Sequence, residues 1–218
     1  NLKAKNIFGK IKSETTDGSS KEKKIININI EEKATGEIAA GAGVGTSGKS
    51  ISFQVSENNY MGKGVRLNTA ISLSDETIMG KFSITHPNYK YSDNSLTTTF
   101  ERSEIDRLSN FGYKTEKTGI SLGTGYEQYQ DFYISPSLDT YYETLNTSSS
   151  ASASLKKQDG DYFDTTIKYR LKYDKRNQKY QPTDGYVSSF FQSLPLISDD
   201  YSLVNGYDLQ NIMKYLMI

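Results

Sequence analysis

The chain has 218 residues with 26 basic and 26 acidic side chains, 17 Tyr, one His, no Trp and no Cys. A net charge of zero argues against nucleic acid, whose partners carry a marked basic excess, and the lack of Cys removes disulfides, thiol chemistry and sulfur-ligated metals. With 35 % hydrophobic and 12 % aromatic residues, the chain is too aromatic to be disordered and too polar for a large two-faced core.

A barrel with a wet lumen fits this balance, because only every second residue must be apolar. No stretch approaches the ~18 apolar residues of a membrane helix, which leaves β-spans open. The chain opens at Asn1-Leu2-Lys3 and stops at Tyr215-Leu216-Met217-Ile218 inside apparent elements, so it reads as an internal stretch of a longer protein.

Residues 2–8 (LKAKNIF) read as the last turns of a helix, with Gly9 as its left-handed cap. The runs IKSETTD and KKIININIEEK flank the turn cluster Asp17-Gly18-Ser19-Ser20. In the second run Ile26, Ile28 and Ile30 share one face. A helix followed by a hairpin makes a small α+β unit.

The stretch Thr35 to Asn59 holds GVGTSGKS (Gly43 to Ser50), a full match to the P-loop pattern. A P-loop follows a buried apolar strand and opens a helix whose N-terminus binds phosphate. Here small residues alternate before Gly43, and ISFQVS alternates after Ser50, the signature of strands. A β-hairpin turning at Ser47-Gly48-Lys49 is therefore expected, with Ile38, Ala40, Ala42 and Val44 on one face and Ala39, Gly41, Gly43 and Gly45 on the other. No nucleotide is expected.

From Gly36 onward no helix is evident. Alternating segments follow one another: VRLNTAISL, TIMGKFSIT, SLTTTFERSEI, EKTGISLGTGYEQY, FYISPSLDTYYETL, DYFDTTIKYRLKYD, YVSSFFQSL and YSLVNGYDLQNIMKYLM. His86-Pro87-Asn88 stops one of them, and Pro195 to Asp200 separates the last two. The polar run Asn146 to Asp161 reads as a mobile loop. About ten such strands argue for a barrel or a sandwich. Their length suits a tilted bilayer crossing, and Tyr60, Tyr89, Tyr126, Tyr129, Tyr173 and Tyr186 gather near strand ends as interfacial girdles do. Periodicity alone leaves a soluble sandwich open.

Two motifs carry a family resemblance. EEKATGEIAAGAGVGTSGKSISFQVSENNYMGKG, with Glu32, Lys33, Thr35, Gly36, Gly62 and Gly64, resembles the junction between the last POTRA domain and the barrel in BamA-type outer-membrane assembly factors. YDKRNQKYQPTDGY (Tyr173 to Tyr186) resembles that family's Tyr-Asp-x-Arg and Pro-Thr-x-Gly at a periplasmic turn. Residues 1–33 resemble the closing helix and hairpin of a POTRA domain.

The resemblance implies a mostly β protein. Residues 1–34 would end a POTRA domain, and residues 35–218 would form about the first ten strands of a sixteen-stranded transmembrane barrel in a bacterial outer membrane. It also implies an insertase in which the first strand, Ile38, Ala39, Ala40, Gly41, Ala42, Gly43, Val44 and Gly45, pairs with a client strand at a lateral seam. Expected partners are unfolded outer-membrane proteins, periplasmic accessory lipoproteins, membrane lipids and lipopolysaccharide, with no cofactor, metal or catalytic residue. A polypeptide-translocating pore of the same superfamily and a passive porin-like channel are the alternatives. Asp174, Arg176, Pro182 and Gly185 are assigned to a structural turn, with Asp174 and Arg176 as a surface ion pair of modest weight. His86, without Cys or clustered carboxylates, is placed in a turn rather than at a metal.

Overall fold

Period-two alternation sets the architecture. The computed structural model describes residues 7–20, 22–45, 48–178, 182–199 and 201–212, and they form two antiparallel sheets. The first pairs β1 (Phe8–Asp17) with β2 (Lys24–Glu32), placing Ile30 opposite Ile11, Ile28 opposite Ser13 and Ile26 opposite Thr15. Gly9 is not a helix cap: it lies in β1, at a register slip between Phe8 and Lys10. The rest of the expected helix falls outside the described residues, Ile7 and Phe8 excepted.

The second sheet has ten strands: β3 (Gly36–Gly45), β4 (Gly48–Tyr60), β5 (Val65–Ser74), β6 (Thr77–His86), β7 (Ser95–Arg107), β8 (Tyr113–Tyr129), β9 (Phe132–Thr147), β10 (Gly160–Asp174), β11 (Gly185–Ile197) and β12 (Val204–Ile212). Each strand pairs with its neighbours in sequence, so β3 and β12 form the two edges among the described residues. The connections alternate between two ends. We call the end at which β2 leads into β3 the near end, and the other the far end.

The P-loop-like segment is a hairpin. Val44 pairs with Lys49 and Gly45 with Gly48, so Gly48 and Lys49 belong to β4, and Ser47 of the expected turn lies outside the described residues. After Ser50 the chain continues as strand.

Cross-strand pairing assembles two unlike faces. Phe53 pairs with Ile71, Ile51 with Leu73, Phe82 with Phe100, Phe100 with Ile120, and Leu122 with Leu138. These side chains share one face, and Ile51, Phe100 and Leu122 keep 62 %, 49 % and 50 % of their surface exposed. Among the described residues no large side chain is fully buried. A ten-stranded sheet with its apolar face uncovered by protein must find that cover elsewhere.

The other face is polar. Ser83 and Thr99, and Thr85 and Thr97, pair their hydroxyls at 3.0 Å. Lys168 reaches the buried Asp139 carboxylate at 2.7 Å, and the Lys117 ammonium lies 4.3 Å from the centre of the Tyr141 ring. That ring covers Gly119 on the adjacent strand, where an added Cβ would come within 2.3 Å of it. An aromatic side chain laid over a strand glycine restores the cover that the glycine lacks.

Three expectations are revised. Pro195 does not separate strands: it lies within β11 opposite Thr166, where the register slips and a missing N–H is tolerated. One-turn helices do occur after Gly36, α1 (Leu108–Phe111) and α2 (Ala153–Lys156), too short to leave a helical period in the sequence. The run Asn146 to Asp161 is built, not loose. Its ends belong to β9 and β10, the Ser152 hydroxyl caps α2 by accepting from the Leu155 N–H at 3.2 Å, and Ala151 is buried against Gly112.

Gly112 has φ +76°, and a Cβ there would stand 2.5 Å from the Ala151 nitrogen. Gly112→Val is expected to destabilise the far end by about 1–3 kcal/mol, seen as a lower urea unfolding midpoint. In the same loop the Asp159 carboxylate accepts from the Thr147 N–H and hydroxyl at 2.7 Å, which holds its carboxyl below the usual range. A carboxyl depressed in the folded state stabilises above its unfolded pKa and loses that contribution as the pH falls through the folded value. The Thr147 amide should keep its hydrogen-exchange protection factor down through the usual carboxylate range and lose it only at lower pH, as Asp159 itself protonates, whereas Asp159→Asn should lower it throughout.

Candidate functional site

The sequence-derived strand Ile38 to Gly45 lies wholly in β3. One side of β3 is bonded to β4, from Gly36 opposite Glu57 to Gly45 opposite Gly48. Among the described residues the other side has no neighbour in the sheet, so its alternate N–H and C=O groups stand open, as on any edge strand. Ile38, Ala40, Ala42 and Val44 share the apolar face with Val55, Phe53 and Ile51, and the exposures of Ile38 and Val44 reach 74 % and 84 %.

The glycines of β3 are not demanded by crowding. A Cβ on Gly41 would meet only the Ser52 hydroxyl at 3.0 Å, one on Gly43 only the Ser50 hydroxyl at 3.3 Å, and one on Gly45 nothing within 4 Å. None of the three has a left-handed backbone. What they do is strip side-chain grip from the strand, since glycine has nothing to pack and more backbone entropy to lose.

Entry into β3 is fixed by a residue that sequence reasoning did not single out. The Glu57 carboxylate accepts from the Thr35 hydroxyl and, at 2.6 Å, from the Asn59 N–H. The Asn58 N–H donates to the Thr35 carbonyl at 3.4 Å. One acidic side chain thus ties the residue before β3 to the end of β4.

At the near end, Asp174 and Arg176 do meet. Arg176 Nε donates to Asp174 Oδ1 at 2.7 Å and Nη2 to Oδ2 at 2.6 Å, while Lys172 Nζ stands 3.0 Å from Oδ2. The expected surface pair is a largely buried one, because Asp174 is only 8 % exposed. Gly185 is obligatory: its φ is +104°, and a Cβ would fall 2.2 Å from the Lys175 carbonyl oxygen. Pro182 lies half-buried in the turn. The turn's polar anchor is Asn177, another residue that sequence reasoning missed. Its Oδ1 accepts from the Thr183 N–H at 3.2 Å, and its Nδ2 donates to Thr183 Oγ1 at 2.8 Å. Asparagine closing its own turn is a recognisable signal, but nothing in the sequence marks Thr183 as its partner.

All six tyrosines expected at strand ends lie at the near end, and Tyr173 and Tyr186 bring their ring centres to 6.0 Å. His86 closes β6 ahead of Pro87 and meets Tyr89 edge-on at 6.4 Å. Among the described residues no three His, Asp or Glu side chains gather in an arrangement that could hold a metal.

The Omp85 superfamily domain matches residues 59–205 of the chain. Among solved structures, the chain is similar to BamA from Haemophilus ducreyi lacking POTRA domains 1–3. The TM-score is 0.75 at 20 % identity, over 95 % of this chain and 43 % of that one. It is also similar to CdiB from Acinetobacter baumannii, with a TM-score of 0.52 at 10 % identity over 95 % of this chain and 41 % of that one. A loop-deletion form of the Vibrio cholerae outer-membrane protein OmpT gives a TM-score of 0.52 at 11 % identity, over 83 % of this chain and 60 % of that one. The chain spans less than half the length of the BamA and CdiB chains. At these identities the likeness is one of fold.

Arg176→Ala would leave the buried Asp174 carboxylate with Lys172 alone, and the expected cost is about 1–3 kcal/mol. Asp174→Asn combined with Arg176→Ala should recover part of that loss, because no uncompensated charge remains. Urea unfolding of the barrel in vesicles reads both.

Proposed function

The chain belongs to the Omp85 superfamily, and from that premise we propose that it is part of an outer-membrane assembly factor whose first barrel strand receives client strands. The observation that carries the proposal is that β3 is the first strand of the ten-stranded sheet and lies at its edge among the described residues, together with Gly41, Gly43 and Gly45, which neither crowding nor backbone conformation requires. An unpaired edge offers main-chain hydrogen bonds to an incoming strand whatever its side chains. That suits one machine serving many sequences.

In the whole protein, later strands of a sixteen-stranded barrel would close against β3 through a seam weak enough to open. A weak seam needs a first strand with little side-chain grip, and Ala40, Ala42, Gly41 and Gly43 meet that need. No side chain acts chemically. Residues before Gly36, with the β1–β2 hairpin, would end a periplasmic POTRA domain, where accessory lipoproteins dock. The apolar face of the sheet would lie against lipid, and the near-end tyrosines would sit among the headgroups of the periplasmic leaflet.

A second reading, a polypeptide-translocating pore, rests on the fold shared with CdiB. Its cargo would cross through the lumen and would not pair with β3.

These 218 residues have no Cys, so in a full-length protein with any Cys elsewhere replaced by Ser, single Cys residues placed from Ile38 to Gly45 can be oxidised against a client barrel bearing one Cys in its terminal strand. Crosslinks are expected to advance two positions on the client for every two on β3, the register of an antiparallel or parallel ladder. Absence of crosslinks at every position in a folded, full-length protein would overturn the strand-pairing function and favour the pore.

A further inference from the structure

The apolar face of the ten-stranded sheet does not end level. On β5 and β6 it continues toward the far end as Leu73 opposite Ile78. On β7 it stops at Phe100, and the next positions on that face are Arg102, opposite Gly80, and Glu104, opposite Ile78. On β8 the corresponding positions are Thr118, opposite Arg102, and Glu116, opposite Glu104. The polar boundary therefore steps toward the near end between β6 and β7.

A groove lies at that step. Gly80 leaves a shallow hollow of about 360 Å³ between Ile71, Phe82, Phe100 and Arg102. Nothing stands within 4 Å of where its Cβ would be. Arg102 sits at the rim with its side chain 62 % exposed. Its Nη1 donates to Thr118 Oγ1 at 3.3 Å and its Nη2 to Glu116 Oε2 at 3.0 Å. Lys114 shares Glu116 at 3.2 Å and holds Glu104 at 2.7 Å. A guanidinium has five N–H donors, so three remain without a partner among the described residues.

An arginine on a lipid-facing barrel wall is costly at the bilayer midplane and nearly free at the interface. Arg102 thus fixes the depth of the headgroups along β7 and β8, while the hydrocarbon surface on β5 and β6 runs past that depth. An ordinary lipid bridges such a step poorly. One with a phosphate bridges it well, laying an acyl chain in the Gly80 groove and its phosphate on the planar donor fork.

We propose that the Gly80 groove and Arg102 form a binding site for a phosphate-bearing lipid of the far-end leaflet. The two cations and two carboxylates of the rim cancel in charge, so selectivity comes from the free guanidinium donors and not from a general positive field. Glu104 and Glu116 hold Lys114 and Arg102 in place. This inference rests on the reading above that the apolar face meets lipid.

These 218 residues have no Trp, so in a full-length protein with any Trp elsewhere replaced by Phe, Phe82→Trp puts a lone fluorophore in the groove wall and Leu209→Trp puts one on the same face at β12. The full-length barrel would be placed in phosphatidylcholine nanodiscs doped with phosphatidylcholine or phosphatidic acid carrying brominated acyl chains. Brominated phosphatidylcholine should quench both fluorophores to the extent set by its mole fraction. Brominated phosphatidic acid should quench Phe82→Trp as though enriched roughly fivefold, the effect of one arginine on one anionic headgroup, and Leu209→Trp without enrichment. Adding Arg102→Gln, or Gly80→Leu to fill the groove, should return the Phe82→Trp signal to the bulk level.

Equal quenching at the two positions, or enrichment that survives Arg102→Gln, would overturn the site. Bulk-level quenching of Phe82→Trp by brominated phosphatidic acid, with or without inorganic phosphate, would overturn it too, leaving the rim at most a site for a free anion. If brominated phosphatidylcholine quenched neither fluorophore, the lipid-facing reading itself would fall, a result distinct from the others.

Discussion

Everything in this structure depends on a backbone ladder that satisfies itself strand by strand while leaving its apolar face without a protein partner. The ten-stranded sheet runs as a meander in which every strand bonds to its neighbours in sequence. Local pairing of this kind needs no long crossover and leaves two edges. Phe53, Phe100, Ile120 and Leu138 share one face of that sheet, and each keeps more than two fifths of its surface exposed. In water such a surface would drive association. Against hydrocarbon it is the stabilising surface, and backbone groups bonded within the sheet are the condition for entering hydrocarbon at all.

The polar face is then free to be irregular. It carries the Asp139–Lys168 pair, the Tyr141 ring laid over Gly119, and hydroxyl pairs between β6 and β7. These contacts tie adjacent strands side chain to side chain where, among the described residues, no large side chain is fully buried to do so. The contrast with β3 is direct. Its polar-face positions are Ala39, Gly41, Gly43 and Gly45, which offer β4 almost nothing beyond main-chain bonds. The strand proposed to open is the one with the least side-chain attachment.

The ends of the sheet are built more firmly than its edge. At the near end Asp174 gathers Arg176 and Lys172, and Asn177 clasps Thr183. At the far end Asp159 ties the loop before β10 back to Thr147, and Ala151 seats on Gly112. Firm turns hold register across a long meander, because a slip of one residue would exchange the apolar and polar faces of a strand.

The sequence by itself determined the strands, their faces and the hairpin that displaces the P-loop reading, because period-two alternation is a local property and survives without knowledge of neighbours. It also marked β3 as unusual through its run of small residues, and it identified the Asp174–Arg176 turn through a family motif. It did not show that Pro195 sits at a register slip, that Asn146 to Asp161 folds around α2, or that Asp174 is buried. Those facts arise from partners far along the chain: Thr166 for Pro195, Gly112 for Ala151, Thr147 for Asp159. The place of β3 as first strand was implied by the family resemblance, but its own residues do not encode it. A strand's sequence encodes which residues share a face, whereas whether a second strand lies on its open side depends on the whole order of the sheet. The step in the apolar band at Gly80 and Arg102 has the same origin, since it exists only where the register of β6 against β7 sets one beside the other.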